Sequence, residues 1–302
     1  MQNSTLKPNF GLRAHDFGTK PSQELATHIA SSGAQCVQLA LAKALPGDHI
    51  FPHTLGTQGL AKISDDFHSN NLQIAVLGCY IDMVTANLAD REQSFKRFEE
   101  HLEISASMGC NIVGTETGSP ELYIQKDPAN GRELAFEEAM LGITRLVKAA
   151  EKTWPNGVYV GMEPVADFHS LSTINHVDQM IKRLNSPALG IIFDPVNLIP
   201  VDGVDSMDTF LDECFAIFGQ HIVAIHVKDY VMEDTPAGKR KSAALVAGLG
   251  EMDWVGLFKR LILAGKAEVP ILLEEAGPAD AEGAFYRMNN AWQRALNQTN
   301  RI

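Results

Sequence analysis

The sequence predicts a (β/α)8 barrel, and three observations lead to this prediction. Short apolar runs recur eight times along the 302 residues, and amphipathic segments lie between them. Acidic residues or a histidine also follow the later runs at nearly constant spacing. Length alone would allow either two modest domains or one large α/β barrel. We find no linker, low-complexity segment or obvious repeat, so we expect residues 1–302 to form one barrel domain.

The eight runs have the composition of buried strands. Each is rich in β-branched or other apolar residues and is bounded by Gly, Pro or polar residues. Little polar alternation occurs within them, which is typical of parallel strands covered on both faces. The predicted strands span residues 10–15, 36–41, 73–80, 111–116, 158–163, 190–194, 221–226 and 270–275.

The segments between the runs have helical patterns with recognisable ends. The segment 90–109 begins at Asp90, a residue suited to cap a helix N-terminus, and ends at Gly109. The segment 253–265 likewise begins at an Asp and ends at a Gly, while 172–185 and 206–219 fill two later gaps. "RAHDFGTKPS" after the first run contains no GxGxxG turn, which disfavours a dinucleotide-binding doubly wound sheet.

Composition excludes several classes of partner. The formal net charge is −12, which argues against nucleic acid or an anionic membrane as a partner, because both require a basic face. The cysteines show no CxxC spacing, as expected of free thiols in a reducing compartment. We find no signal peptide and no apolar run of the roughly 20 residues that cross a bilayer. These features predict a soluble, cytoplasmic protein.

Four chemistry-bearing residues fall at the ends of the last four predicted strands. Glu163, Asp194 and His226 follow one another at intervals of about 31 residues, the length that one unit occupies in a barrel of about 250 residues. The interval to Glu274 is longer because a polar loop, 229–253, is inserted. All four should therefore meet at the C-terminal rim, where barrel enzymes place their active sites.

Carboxylates crowded at one rim repel one another, and a divalent cation removes that repulsion. Oxygen-rich ligation with one imidazole suits Mn²⁺, Mg²⁺, Co²⁺ or Zn²⁺. Each residue alone has an ordinary explanation, such as a turn, a buried hydrogen bond or a strand end, but four in register favour a metal site. Because strand side chains alternate faces, only one of Glu274 and Glu275 can point inward, and we choose Glu274, the first polar residue after the run.

At these residues the sequence resembles the xylose-isomerase-like barrel superfamily of sugar isomerases and epimerases. The resemblance looks closest to the branch of ketose 3-epimerases and inosose dehydratases. It covers nearly the whole chain, including 87–113, but is dense from 158 to 275. It rests on "GMEP", "FDPVN", "HVKD", "GLGEMDW" and "ILLEE", which occur in that order.

The resemblance implies a ligand set and substrate contacts. The family's metal quartet corresponds to Glu163, Asp194, His226 and Glu274, with one divalent ion, Mn²⁺ in preference to Mg²⁺, Co²⁺ or Zn²⁺. Asn197 stands where the family commonly has a substrate-contacting His, and Lys228 stands near the place of an epimerase Arg. Rim position adds further candidate substrate contacts, which are His15, Glu116 and His169.

The expected chemistry is isomerisation or epimerisation of a sugar. Glu163 and Glu274 would transfer a proton next to a carbonyl through a metal-stabilised enediolate. An inosose-type dehydratase needs the same site and is the alternative. An abasic-site endonuclease fits less well, because that family needs more histidines and the net charge is −12. The resemblance implies a small-molecule sugar as substrate and makes a homodimer or homotetramer plausible.

Overall fold

Parallel strands close into a barrel in the computed structural model, which describes residues 6–47, 49–153, 157–236 and 238–300. Within these ranges the strands, numbered along the chain, are β1 Asn9–Arg13, β2 Cys36–Leu39, β3 Gln73–Gly78, β4 Ile112–Thr115, β5 Tyr159–Met162, β6 Leu189–Phe193, β7 Ile222–Val227, β8 Met232–Thr235, β9 Gly238–Lys241 and β10 Pro270–Leu273. Strands β8 and β9 form a separate antiparallel hairpin. The other eight form the barrel, which β1 closes by pairing with β10.

The eight predicted runs are thereby confirmed, with ends that differ by at most two residues. The observed strands are shorter mainly at their C-terminal ends, where the chain leaves the sheet to build the rim. After β1, for example, Ala14–Phe17 turn as a short 3₁₀ segment. The predicted (β/α)8 fold is therefore correct.

Helices cover the outside of the barrel. The described helices are α1 Ser22–Ser31, α2 Leu41–Ala44, α3 Gly56–His68, α4 Leu88–Ser105, α5 Glu121–Lys126, α6 Gly131–Glu151, α7 Ile174–Leu184, α8 Pro195–Leu198, α9 Met207–Phe218, α10 Trp254–Leu263 and α11 Ala281–Thr299. None of them is long and apolar enough to span a membrane.

One predicted helix start is wrong. Helix α4 begins at Leu88 rather than at Asp90, because the side chain of Asn87 accepts hydrogen bonds from the backbone N–H groups of Ala89 and Asp90. The predicted end near Gly109 is correct, since a 3₁₀ turn continues the helix to this left-handed residue. Asp253 caps α10 as expected, accepting from Gly256 N at 2.9 Å.

The barrel interior is filled with side chains. Ile192 occupies its middle because Gly114 and Gly161 face it, and a Cβ on either glycine would come within 2.6 and 2.9 Å of the Ile192 Cδ1 atom. The interior cluster consists of Cys36, Ala75, Val76, Ile112, Ile192, Ala224 and Leu272. A polar site can therefore form only at an end of this barrel.

The inserted loop 229–253 is anchored by one buried carboxylate. Asp229 is fully buried, and its two oxygens accept from four N–H groups: Tyr230 N, Gly248 N, Met252 N and the Trp254 indole. The loop is therefore tied to the end of β7 and to the start of α10. Its hairpin extends from this anchor.

We expect Asp229→Ala to destabilise the protein by about 3 kcal/mol or more, because it leaves buried donors without acceptors. Urea unfolding followed by circular dichroism measures this change. Asp234→Ala, at an exposed position in the same loop, is the matched control and should change stability by less than about 0.5 kcal/mol. Equal stability of the two variants would contradict the anchoring role.

Candidate functional site

The last four barrel strands bring the four predicted ligands to the C-terminal rim. Glu163 follows β5, Asp194 follows β6, His226 lies near the end of β7, and Glu274 follows β10. Their exposed fractions are 4, 0, 1 and 4%, so water solvates none of them well. Glu163, Asp194 and His226 each offer a ligand atom within 4.8 Å of the others.

The imidazole of His226 points into this cluster. Its Nδ1 atom lies 3.2 Å from Glu163 Oε2 and 3.3 Å from Glu274 Oε1, without a hydrogen bond of good geometry. Its Nε2 atom lies 2.7 Å from Oε1 of Gln38 on β2. Burial alone would lower the pKa of His226, but the charges of Glu163 and Glu274 outweigh it and raise that pKa to about 9.

Glu274 rather than Glu275 points inward. Glu274 Oε2 lies 2.8 Å from Lys228 Nζ and 3.2 Å from Arg13 Nη1. Glu275 has a side chain that is 42% exposed, a positive φ of 55° and an ion pair to Arg13 at the rim. Burial would raise the pKa of Glu274, but His226, Lys228 and Arg13 hold it well below its usual range.

Lys228 lies inside the carboxylate cluster. Its buried ammonium is 2.9 Å from Asp194 Oδ2 and 2.8 Å from Glu274 Oε2. Burial opposes its charge, yet Asp194 and Glu274 raise the pKa of Lys228 above its ordinary value, so the side chain stays protonated. Burial also raises the pKa of Asp194, against the opposing charge of Lys228.

The donor set fits a divalent cation. Asp194 Oδ2 and His226 Nδ1 are buried and lack a hydrogen bond of acceptable geometry, although Lys228 lies close to the former. Two carboxylates, one imidazole and the nearby Glu274 form an oxygen-rich set without thiolate. Mn²⁺, Mg²⁺, Co²⁺ and Zn²⁺ all accept such ligands.

Asn197 supports two of these carboxylates. Its side-chain amide donates to Glu163 Oε1 at 2.7 Å, and its backbone N–H donates to Asp194 Oδ1 at 2.9 Å. The second bond also caps α8, whose first residue is Pro195. Asn197 thus fixes the orientation of Glu163 and of Asp194 at once.

Glu116 and His169 form a neighbouring pair at the rim. Gly118 N donates to His169 Nδ1 at 3.1 Å, which leaves Nε2 3.7 Å from Glu116 Oε2. Burial, together with the charges of Glu163 and Glu274, raises the pKa of Glu116 to about 7. Burial lowers the pKa of His169, so this imidazole is neutral near pH 7.

His15 lies on the opposite side of the rim, beside Tyr80. The two rings meet edge to face with centroids 6.3 Å apart. Burial and the charges of Arg13 and Lys43 lower the pKa of His15 to about 4. Its Nδ1 atom is buried without a hydrogen-bond partner among the described residues.

Sequence reasoning missed two residues that contact the cluster. Arg13 lies in β1 and bonds Asp16 as well as Glu274, and Gln38 lies in β2 and meets His226. Gln38 is the one polar residue of "CVQL", and Arg13 ends the strand "NFGLR", whose middle residues are apolar or Gly. A polar residue in a doubly covered strand was the available signal, because its side chain must find a polar partner.

The structure is therefore a (β/α)8 barrel with a buried carboxylate–imidazole cluster at its C-terminal rim. The chain belongs to the xylose isomerase-like TIM barrel family, whose sequence profile matches residues 26–296. No curated protein sequence matches the chain significantly.

Several solved structures share the fold at low sequence identity. An L-ribulose 3-epimerase is 13% identical, with a TM-score of 0.71 and 97% of each chain covered. The 3-keto-D-glucoside 4-epimerase YcjR from E. coli is 14% identical, with a TM-score of 0.68 over 94% of this chain and 100% of that chain. A xylose isomerase-like protein from Mycobacterium smegmatis in complex with magnesium is 16% identical, with a TM-score of 0.68 over 96% and 94%. At these identities the likeness shows the fold.

We expect Lys228→Met to destabilise the metal-free protein by about 3 kcal/mol or more, because Asp194 and Glu274 lose a buried countercharge. Added Mn²⁺ should reduce the difference in stability between the variant and wild type. The ion restores positive charge in the cluster and stabilises the folded state that binds it. Thermal unfolding with a chelator and then with Mn²⁺ measures both effects.

Lys182→Met, which removes an exposed ion pair to Asp178 on α7, is the control. Its stability should differ little from that of wild type. If Lys228→Met matches wild type in the presence of the chelator, the charge balance described for the cluster is wrong.

Proposed function

We propose that this protein is a divalent-metal-dependent isomerase or epimerase of a ketose or related sugar. The observation that carries the proposal is the buried convergence of Glu163, Asp194 and His226, with ligand atoms within 4.8 Å of one another. Membership of the xylose isomerase-like family and the fold shared with two sugar epimerases support it.

In this proposal Glu163, Asp194, His226 and Glu274 hold one cation, with Mn²⁺ as the preferred ion. A bound divalent ion would polarise the oxygens of a sugar and make the adjacent C–H bond more acidic. The magnesium in the M. smegmatis structure supports a divalent ion in this fold.

The carboxylates of Glu163 and Glu274 would then move the proton. His226 lies next to both of them, and they approach it from different strands, β5 and β10. Lys228 and Arg13 lie against Glu274 and favour its ionised form, which is the form that can accept a proton from the substrate carbon. Without a metal, the charge of His226 outweighs the effect of burial and lowers the pKa of Glu163 as well.

The remaining rim residues would bind the sugar. Glu116 and His169 present an acid with a pKa of about 7 and a neutral imidazole next to the cluster. His15 lies across from them, and Lys228 and Asn197 orient the carboxylates themselves. Together these groups offer hydrogen bonds on several sides of a polyhydroxylated substrate.

We expect the Mn²⁺-loaded protein to exchange a carbon-bound proton of a free ketose with D₂O, tested on L-ribulose, D-tagatose and D-fructose by NMR. Glu163→Gln and Glu274→Gln should each slow the exchange by about 10²- to 10⁴-fold, the range for loss of a general acid or base. Glu268→Gln, at an exposed position before β10, is the matched control.

Absence of exchange on all three ketoses, or unchanged exchange in both glutamate variants, would refute the isomerase and epimerase proposal. An inosose that yields a conjugated product absorbing in the ultraviolet would instead indicate the lyase. Cleavage of abasic DNA would indicate the endonuclease.

A further inference from the structure

Three polar side chains form a hydrogen-bonded chain that links the predicted ligand His226 to β2 and to the segment after β3. His226 Nε2 on β7 lies 2.7 Å from Gln38 Oε1 on β2, and Gln38 Nε2 lies 2.7 Å from the hydroxyl of Tyr80, just after β3. Gln38 is only 2% exposed, so water cannot replace either bond.

The chemistry of these groups fixes the direction of the hydrogen bonds. The Nδ1 atom of His226 faces the carboxylates and must be unprotonated to bind a metal, so a neutral imidazole carries its proton on Nε2. That N–H donates to Gln38 Oε1. The amide NH₂ of Gln38 then donates to the Tyr80 oxygen, because an amide nitrogen has no acceptor capacity.

The hydroxyl oxygen of Tyr80 accepts this bond, so its O–H group is left to donate to another acceptor. It has no second hydrogen-bond partner among the described residues. Burial and the charges of Glu274 and Glu163 raise the pKa of Tyr80, so the hydroxyl keeps its proton at neutral pH. The ring lies edge to face with His15, and Lys43 Nζ is 3.8 Å from its centroid, which together hold it in place at the rim.

We propose that Gln38 is a positioning residue that holds His226 in the Nε2–H form and, through the same amide, turns the Tyr80 O–H toward a substrate oxygen. This inference rests on the metal-ligand role of His226 in the proposed function. It adds two residues to the site, one that orients a ligand and one that touches the sugar.

The tautomer of His226 tests the direction of the hydrogen bond to Gln38, and it needs no activity. In wild-type protein labelled with ¹⁵N-histidine and loaded with diamagnetic Zn²⁺, we expect a long-range ¹H–¹⁵N spectrum to show His226 protonated at Nε2. The signals of His226 are assigned by their loss in His226→Asn. A proton on Nδ1 would overturn the inference.

Metal affinity tests the positioning role. Gln38→Met keeps the side-chain length but cannot accept the His226 N–H, so we expect Mn²⁺ binding by calorimetry to weaken about 10- to 100-fold. Gln73→Met is the matched control, because Gln73 is exposed at the start of β3, at the other end of the barrel. Equal Mn²⁺ affinity of Gln38→Met and wild type would overturn the role.

Tyr80→Phe separates the two parts of the proposal and remains available if Gln38→Met does not fold. It should leave Mn²⁺ affinity within about threefold, yet lower kcat/KM on L-ribulose, D-tagatose or D-fructose about 3- to 10-fold through loss of one hydrogen bond. If kcat/KM is unchanged on a ketose that wild type turns over, Tyr80 does not contact the substrate. Failure of wild type to bind Mn²⁺ or Zn²⁺ would instead refute the proposed function itself.

Discussion

The structure depends on how the barrel tolerates several carboxylates around one buried imidazole. Glu163, Asp194 and Glu274 lie within a few ångströms of His226, almost without water to screen their charges. Like charges at such distances in a poorly solvated site repel strongly. Lys228 and Arg13 offset part of this repulsion, and a divalent cation would offset more. The same charge concentration is what would make a cation bind tightly.

Residues outside the carboxylate cluster hold the cluster in this arrangement. Parallel strands end at one rim, and the packed interior around Ile192 keeps the polar groups there. Hydrogen bonds from Asn197 orient two carboxylates, and Asp229 anchors the inserted loop directly behind Lys228. Loosening these supports would therefore misplace the ligands.

The strands and the four candidate ligands could be predicted because their signals are local or periodic. Apolar runs mark the strands, and a repeat of about 31 residues places Glu163, Asp194 and His226 at one rim. Contacts across the barrel have no such signal: Gln38 meets His226 from a distant strand, and Arg13 meets Glu274 from the first strand. The predicted start of α4 is wrong because Asn87 and Asp90 are both suited to cap a helix, and the structure uses Asn87.

Anomalous diffraction from crystals grown with Mn²⁺ would locate the proposed ion directly. We expect one peak at the C-terminal rim, about 2.0–2.4 Å from a carboxylate oxygen of each of Glu163, Asp194 and Glu274 and from Nδ1 of His226. A protein without a peak there, or with Mn²⁺ bound elsewhere while Lys228 still bridges Asp194 and Glu274, would contradict it. In that case Lys228 and Arg13 would balance the buried charge without a metal.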